Sequence, residues 1–477
     1  MKLFNLEHTL VSVLTRDILI IYLLSIYEID VITSTMRRLF STSIAKLSIS
    51  KASFNVRSII SNVSLYQDSI KSRKLTNELE LLNSLNSLSS NYNRCNELSN
   101  SISLVQVNRK KIENLIKSDK NNLNSYLDQL KSLKTNFTEY SNQLKLLKSS
   151  IDDFCSSLPN LIHETTPISN PQIVHWINPK DNYTNDPDRD HVKIMVDKGL
   201  IDFKTASAIS GNSWYYLLGR GAQLEHALVS FAIEQAMANG FELCFPPTIA
   251  RNEVIDACGF RPRDMNNEQQ IYHIEDMQSG LIATAEITLA GLGINKVLDL
   301  TKGPKKLVGV SRSFRAEAGA RGRDTKGLYR VHEFTKVELF CWAKPADSER
   351  LLEDLKNFQV DLVTSLGLSA KLLNMPANDL GAPAYKKYDI EAWMPGRGSF
   401  GEITSTSNCT DFQSRRMNTK YKNDTTNSLE YVHTLNGTAM AIPRIILAIV
   451  ENFYNPDTNL IEVPKVLQKY MGGISQI

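Results

Sequence analysis

Two stretches of this chain carry different patterns of apolar and polar positions. From Ser72 to Ser156 there is neither Pro nor Gly, and Leu, Asn, Ser and Lys dominate. In the second half of that stretch Tyr126, Leu130, Leu133, Phe137, Tyr140, Leu144, Leu147, Ile151 and Phe154 follow one another at spacings of four and three. That is the heptad stripe of one helix packed along another. The first half repeats the spacing with Leu81, Leu85, Leu88, Tyr92, Cys95, Ser99 and Ile102. A polar, basic stretch with Arg109, Lys110, Lys111, Lys117 and Lys120 separates the halves. The pattern predicts two long helices folded into an antiparallel hairpin, each of about 35 residues and so ~50 Å long. Composition alone favours a dimerisation coiled coil with a solvated charged face.

Beyond Ser157 the pattern breaks. Pro159, Pro167 and Pro171 interrupt any helix and mark a domain boundary. From there to Ile477 periodicity is mixed, as in a globular α+β domain. Leu224–Met237 reads as an amphipathic helix leading through Gly240 into a strand that ends at Pro246-Pro247. Ser311–Phe340 reads as strand, Gly-rich basic loop, strand; the loop supplies Arg321, Arg323, Lys326 and Arg330. An arginine held on a strand can grip a phosphate or carboxylate with two parallel hydrogen bonds. In Leu435–Phe453, small residues Gly437, Ala439 and Ala441 admit close approach of a ligand. Pro443 then opens a helix whose run Ile445–Val450 must be buried, so Arg444 at its start has to face something polar or anionic.

Charge and cysteine content narrow the classes. The formal net charge is +3 over 477 residues, so a nucleic-acid partner would have to use a local patch. The arm is such a patch: residues 71–157 hold 13 Lys and Arg against 9 Asp and Glu. Six cysteines occur without a CxxC pair, which argues against a zinc site and for a reducing compartment. The apolar run Ile18–Tyr27 is too short to span a bilayer, so no membrane partner is expected. From Val31 to Gln67 there is no acidic residue, and Arg37, Arg38, Lys46, Lys51 and Arg57 stand among many Ser and Thr. That is the composition of a mitochondrial presequence starting near Met36; a basic tail is the alternative.

The three chemical segments occur in the order of the three motifs of class II aminoacyl-tRNA synthetases, and their details resemble seryl-tRNA synthetases. FRAEAGARGRDTKGLYRVHEFTKVE is very close to that family's motif 2. TAEITLAGL (284–292), EITSTSNCTDFQSRRMNTKY (402–421), YVHTLNGTAMA (431–441) and the ending VPKVLQKYMGG are likewise similar to family strings. The resemblance covers about residues 54–477, with the Leu-rich arm in place of the family's tRNA-binding coiled coil. It implies an N-terminal extension over 1–53, an arm over 54–165 and a class II catalytic domain over 166–477, built on an antiparallel sheet flanked by helices.

The resemblance also implies roles. Arg315, Glu317 and Arg444 would be the catalytic set, with Arg315 binding both the α-phosphate of ATP and the serine carboxylate. Glu317 would meet the adenine amino group, and Phe334 and Arg444 would sandwich the ring. ATP would also touch Ala316, Val331, His332, Glu333, Ile403 and Thr404. Glu402 and Ser405 would hold Mg²⁺, which prefers oxygen ligands. L-Serine would sit among Thr284, Ala285, Glu286, Arg315, Glu338, Asn436 and Thr438. The implied partners are serine tRNA, through the arm, and a second copy of the chain in a homodimer. The mitochondrial matrix is the implied location. Two departures stand out: the family usually reads VHQF where this chain has Val331-His332-Glu333-Phe334, and the arm is short and less basic at its tip than in many relatives. Two rivals follow from the same fold. A ligase that loads a carrier protein would lack the long arm. An inactive paralogue kept for binding would have lost Arg315, Glu317, Glu402 or Arg444, and all four are present.

Overall fold

The computed structural model describes residues 49, 52–119, 122–260, 270–317 and 326–477. Arg37, Arg38, Lys46, Lys51, Lys120, Arg321 and Arg323 lie outside the described residues. Two short helices, α1 (Val56–Ser61) and α2 (Val63–Ser72), precede the hairpin helices α3 (Glu78–Ser118) and α4 (Leu123–Ser157). With 41 and 35 residues, α3 and α4 extend roughly 60 and 50 Å. The seam agrees with the heptads near the root, where Leu81, Leu85, Leu88, Cys95 and Ile151 are buried together with Ile59 and Ile70 of the short helices; Cys155 is buried there in place of Phe154, which is only partly covered. Further out it departs from them. Leu98 and Val105 are buried rather than Ser99 and Ile102. On α4 the distal seam is only half-covered, because a two-helix hairpin has no third layer. Arg57, expected within the basic presequence composition, lies in α1 and donates from Nε to the Tyr92 hydroxyl at 3.0 Å.

The arm is bolted to the globular body through Arg73, which is 3% exposed. Its guanidinium donates to the carbonyls of Asn160, Leu161, Leu380, Gly381 and Ala384. Its Nε donates to Ser69 Oγ at 3.3 Å; such a cation tolerates burial because its N–H groups find carbonyl and hydroxyl oxygens.

The body is built on one large sheet. In chain order its strands are β1 (Gln172–Ile177), β2 (Glu242–Cys244), β3 (Lys305–Phe314), β4 (Glu333–Ala343), β5 (Ala370–Asn374), β6 (Lys386–Met394), β7 (Ser399–Thr410) and β8 (His433–Ala441). The spatial order is β1-β5-β6-β7-β8-β4-β3-β2. Every neighbouring pair is antiparallel except β2 and β3. One face carries Val337, Leu339, Cys341, Ile390 and Leu435 into the main core. Helices α6 (Gly219–Ala238), α8 (Ser348–Ser365) and α10 (Ile442–Phe453) cover that face; a short α5 (His191–Asp197) precedes them, and α7 (Glu286–Gly291) and α9 (Phe412–Met417) lie over the other. Among the described residues no helix is long and apolar enough to cross a membrane.

Candidate active site

The open face of the central strands carries polar side chains. On β4 the two-residue period of a strand puts Phe334, Lys336 and Glu338 on this face and Val337 and Leu339 in the core. Across from them on β3 stand Ser313, Ser311 and Gly309. Small residues are needed there: a Cβ on Gly309 would lie 2.8 Å from Cδ1 of Leu289. That close approach lets α7 settle on the sheet and bring Glu286, in its first turn, over Glu338.

Two β-bulges shape the rest. On β7, Ile390 pairs with Thr404 but Glu391 pairs with Glu402, so Ile403 is an extra residue. Glu402 and Ser405, three apart, would point to opposite faces of a regular strand; the bulge turns both to the open face. On β8, Thr438 pairs with Glu338 and Met440 with Val337, so Ala439 is extra and Thr438 and Ala441 share a face.

The resulting cleft has two compartments. The outer one is lined by Arg315, Glu317, Val331, Phe334, Glu402, Ile403, Thr404, Ser405, Thr438 and Arg444, among others. The inner one is lined by Thr284, Glu286, Glu338, Asn436, Lys387 and Ser407. Arg315, Lys336 and Ser405 line both.

Arg315 stands where β3 ends, its main-chain N–H bonded to the His332 carbonyl at 2.9 Å. Its Cζ lies 5.3 Å from the centre of the Phe334 ring. Among the described residues it forms no ion pair, and burial and then the nearby Arg444 lower its pKa. A cation in that state favours an incoming anion. Arg444 does have a partner: Nη1 donates to Glu402 Oε2 at 3.1 Å and to the Glu402 carbonyl at 2.9 Å. Burial pushes the Glu402 carboxyl up, but the cations of Arg444, Lys387 and Arg315 outweigh it and hold the group ionised. Glu317 adopts φ of +46° and accepts from Arg330 at 3.0 Å.

In the inner compartment Lys336 Nζ lies 2.6 Å from Glu338 Oε2 and donates to Thr284 Oγ1 at 3.0 Å. Gln413 donates to Glu286 Oε1 at 2.6 Å. Burial, and then repulsion by Glu338, push the Glu286 carboxyl up to about 7. Burial raises Glu338 as well, against the pull of Lys336. Two carboxylates facing one small polar space, with the Lys336 cation acting on both, suit a ligand that brings a further positive charge and a hydrogen-bonding group.

Some expected residues do not face the cleft. Glu333 has the parity of the opposite face of β4: its carboxylate accepts from Arg312 Nε at 2.8 Å, beside Glu225 of α6. Its negative charge is therefore turned away from the outer compartment. His332 lies behind the site, with Nδ1 2.9 Å from the Tyr272 hydroxyl and its ring stacked on Trp214. Ala285 is fully buried as the cap of α7, and Ala316 contributes a main-chain bond to Gln270. Conversely, Lys336, Tyr329, Gln413 and Lys387 belong to the site without having been singled out. Lys336 was readable, since it stands two residues before Glu338 on a strand; the others come from distant segments. Among the described residues no cluster of three His, Cys, Asp or Glu is placed to hold a metal.

Residues 271–453 match the family model described as tRNA synthetase class II core domain (G, H, P, S and T). The chain is 56% identical over 440 residues to the mitochondrial serine–tRNA ligase of Saccharomyces cerevisiae, covering 92% of this chain and 99% of the relative. It is 45% identical over 325 residues to the serine–tRNA ligase of Dictyoglomus thermophilum, covering 67% and 75%. Its fold is similar to the crystal structure of the Pyrococcus horikoshii seryl-tRNA synthetase complexed with ATP, with a TM-score of 0.79 and 31% identity over 89% of this chain and 99% of that one.

Proposed function

This chain belongs to the serine–tRNA ligase family of class II synthetases, and from that premise we propose how its cleft joins serine to tRNA. ATP occupies the outer compartment and L-serine the inner one. The observation that carries this reading is Arg315, a cation without an ion-pair partner among the described residues, standing at the junction of the two compartments. It neutralises the α-phosphate and the serine carboxylate, the two anions that must meet. A carboxylate oxygen of serine attacks the α-phosphorus in line, and the bond to pyrophosphate breaks. A ribose hydroxyl at the 3′ end of tRNA then attacks the acyl carbon of seryl-adenylate, and AMP leaves.

The remaining residues bind and orient. Glu286 and Glu338 take the serine ammonium and hydroxyl, with Thr284, Asn436 and Thr438 around them. A site built to hydrogen-bond a hydroxyl rejects the analogue without it by ~10⁴–10⁵-fold. Phe334 and Arg444 enclose the adenine, and Glu317 meets its amino group. The oxygens of Glu402 and Ser405, turned to one face by the bulge in β7, fit Mg²⁺; when bound, the ion neutralises charge between the phosphates. Residues 54–165 form the arm that holds serine tRNA, and 166–477 the catalytic domain. Two copies assemble through α6 and β2. The basic segment from Met36 and the mitochondrial Saccharomyces relative support a place in the mitochondrial matrix.

The test is charging of purified mitochondrial and cytosolic serine tRNAs by the purified protein with radiolabelled serine. Serylation of the mitochondrial tRNA is expected; failure to charge either tRNA would refute the reading.

A further inference from the structure

Tyr329 is clasped between two arginines. Its ring centre lies 3.7 Å from Cζ of Arg397 and 4.5 Å from Cζ of Arg444. Its carbonyl accepts from Arg444 Nε at 3.1 Å. The ring reaches this place because Gly401, the residue before Glu402, has no side chain: a Cβ there would lie 2.7 Å from Cε2 of Tyr329.

A closed circuit of contacts holds the tyrosine. Glu451 of α10, 1% exposed, has Oε1 at 2.8 Å from His191 Nδ1 and accepts on Oε2 from the Arg397 main-chain N–H at 3.1 Å. His191 Nε2 accepts from the Leu328 N–H at 3.1 Å. With Nε2 accepting, the hydrogen-bond network assigns the imidazole proton to Nδ1, which donates to Glu451. Leu328 precedes Tyr329, and Arg397 covers the tyrosine ring. The circuit thus runs from Glu451 through His191, Leu328 and Tyr329 to Arg397 and back to Glu451. It ties the turn that leads into β4, the turn before β7 and the helix that bears Arg444 into one unit.

We infer that Tyr329 is a positioning residue for the nucleotide base. It supports the guanidinium plane of Arg444 on one side, so that the opposite side is presented as a wall of the base slot facing Phe334. An arginine on a long stem has many rotamers, and holding one of them in advance spares that loss on binding. The inference rests on the reading that Arg444 stacks on adenine, and it predicts a defect confined to the base end of the nucleotide.

The experiment is titration calorimetry of the full chain with AMP and, separately, with inorganic tripolyphosphate. Tyr329→Ala should weaken AMP by about 3- to 30-fold, the span of a cation–π contact. Tripolyphosphate binding and the KM for serine should be unchanged, and the KM for ATP should rise more than kcat falls. Tyr329→Phe should bind AMP like the wild type, because the ring and the carbonyl make the contacts. Tyr329→Leu retains apolar bulk and a folded chain but offers no π face, so it should be as impaired as the alanine variant. Wild-type AMP binding by the leucine variant would show that packing alone matters and would overturn the inference. Arg444→Ala separates the two levels. If it weakens AMP and Tyr329→Ala does not, the positioning role is wrong and the stacking role stands. If Arg444→Ala also leaves AMP binding intact, the stacking role itself fails.

Discussion

Replacing Lys336 by Met keeps the length of the stem and removes the cation that acts on both buried carboxylates, Glu286 and Glu338. The Lys336 and Glu338 side chains are 10% and 2% exposed and 2.6 Å apart, so solvent screens the pair little. Removing one partner of a buried pair costs ~3–5 kcal/mol when the other stays charged. Here Glu338 has an escape: already raised by burial, it takes up a proton once the lysine is gone, and the cost settles near the lower end, about 3 kcal/mol. A neutral Glu338 then loses its charge-assisted bond to the serine ammonium. Such bonds contribute ~1.5–3 kcal/mol, so the KM for serine should rise roughly 10- to 150-fold. The assays are serine-dependent ATP–pyrophosphate exchange and thermal unfolding. Lys336→Met should raise the serine KM and lower the unfolding midpoint by several degrees. Lys336→Met combined with Glu338→Gln should recover most of the midpoint and none of the serine affinity, because the uncompensated acid is gone while the charge is still missing. A serine KM within twofold of wild type in the single variant, or a double variant as unstable as the single one, would refute this account of the inner compartment.

Glu286, pushed up to about 7, should make serine binding pH-dependent: the KM for serine should fall as pH rises through about 7, and Glu286→Gln should flatten that step in exchange assays. The same group retains its proton in the folded chain between its ordinary value of 4.5 and about 7, where the unfolded chain has lost it; its contribution to stability therefore declines as pH rises through that window, measurable as the difference between wild-type and Glu286→Gln denaturation curves. Replacing residues 100–141 with a short turn leaves Arg73 and the packed root of the arm in place; pyrophosphate exchange should persist while tRNA charging at limiting tRNA falls sharply and the wild type's charging shows steep salt dependence. Light scattering of the protein without residues 1–53 should give a dimer of about 100 kDa, twice the chain mass less the extension; a monomer at micromolar concentration would count against assembly through α6 and β2.

The parts of this structure legible in the sequence are those governed by a short period. The heptads announce the hairpin, and the alternation Phe334, Lys336, Glu338 announces one face of β4. Glu333, which the resemblance places against ATP, has the opposite parity to its neighbour Phe334, and its carboxylate accepts from Arg312 on the other face. The bulges were not legible. Glu402 and Ser405 stand at an odd spacing that regular alternation would split, and only the extra residue Ile403 reunites them. Contacts between distant segments were equally hidden: nothing in the local pattern at Arg73 foretells its bonds to carbonyls near Ala384. Nor does any local pattern place Arg397 on the ring of Tyr329. The distal arm seam shows the limit of a counted period, since Leu98 and Val105 take the buried positions assigned to Ser99 and Ile102.

The central claim is that Arg315 brings ATP and serine together. Isotopic exchange of pyrophosphate into ATP by the purified chain, with and without L-serine, in wild type and in Arg315→Ala, tests it most directly. Exchange that requires serine in the wild type and disappears in Arg315→Ala is the predicted result. Exchange indifferent to serine, or near-wild-type exchange in Arg315→Ala, would contradict it.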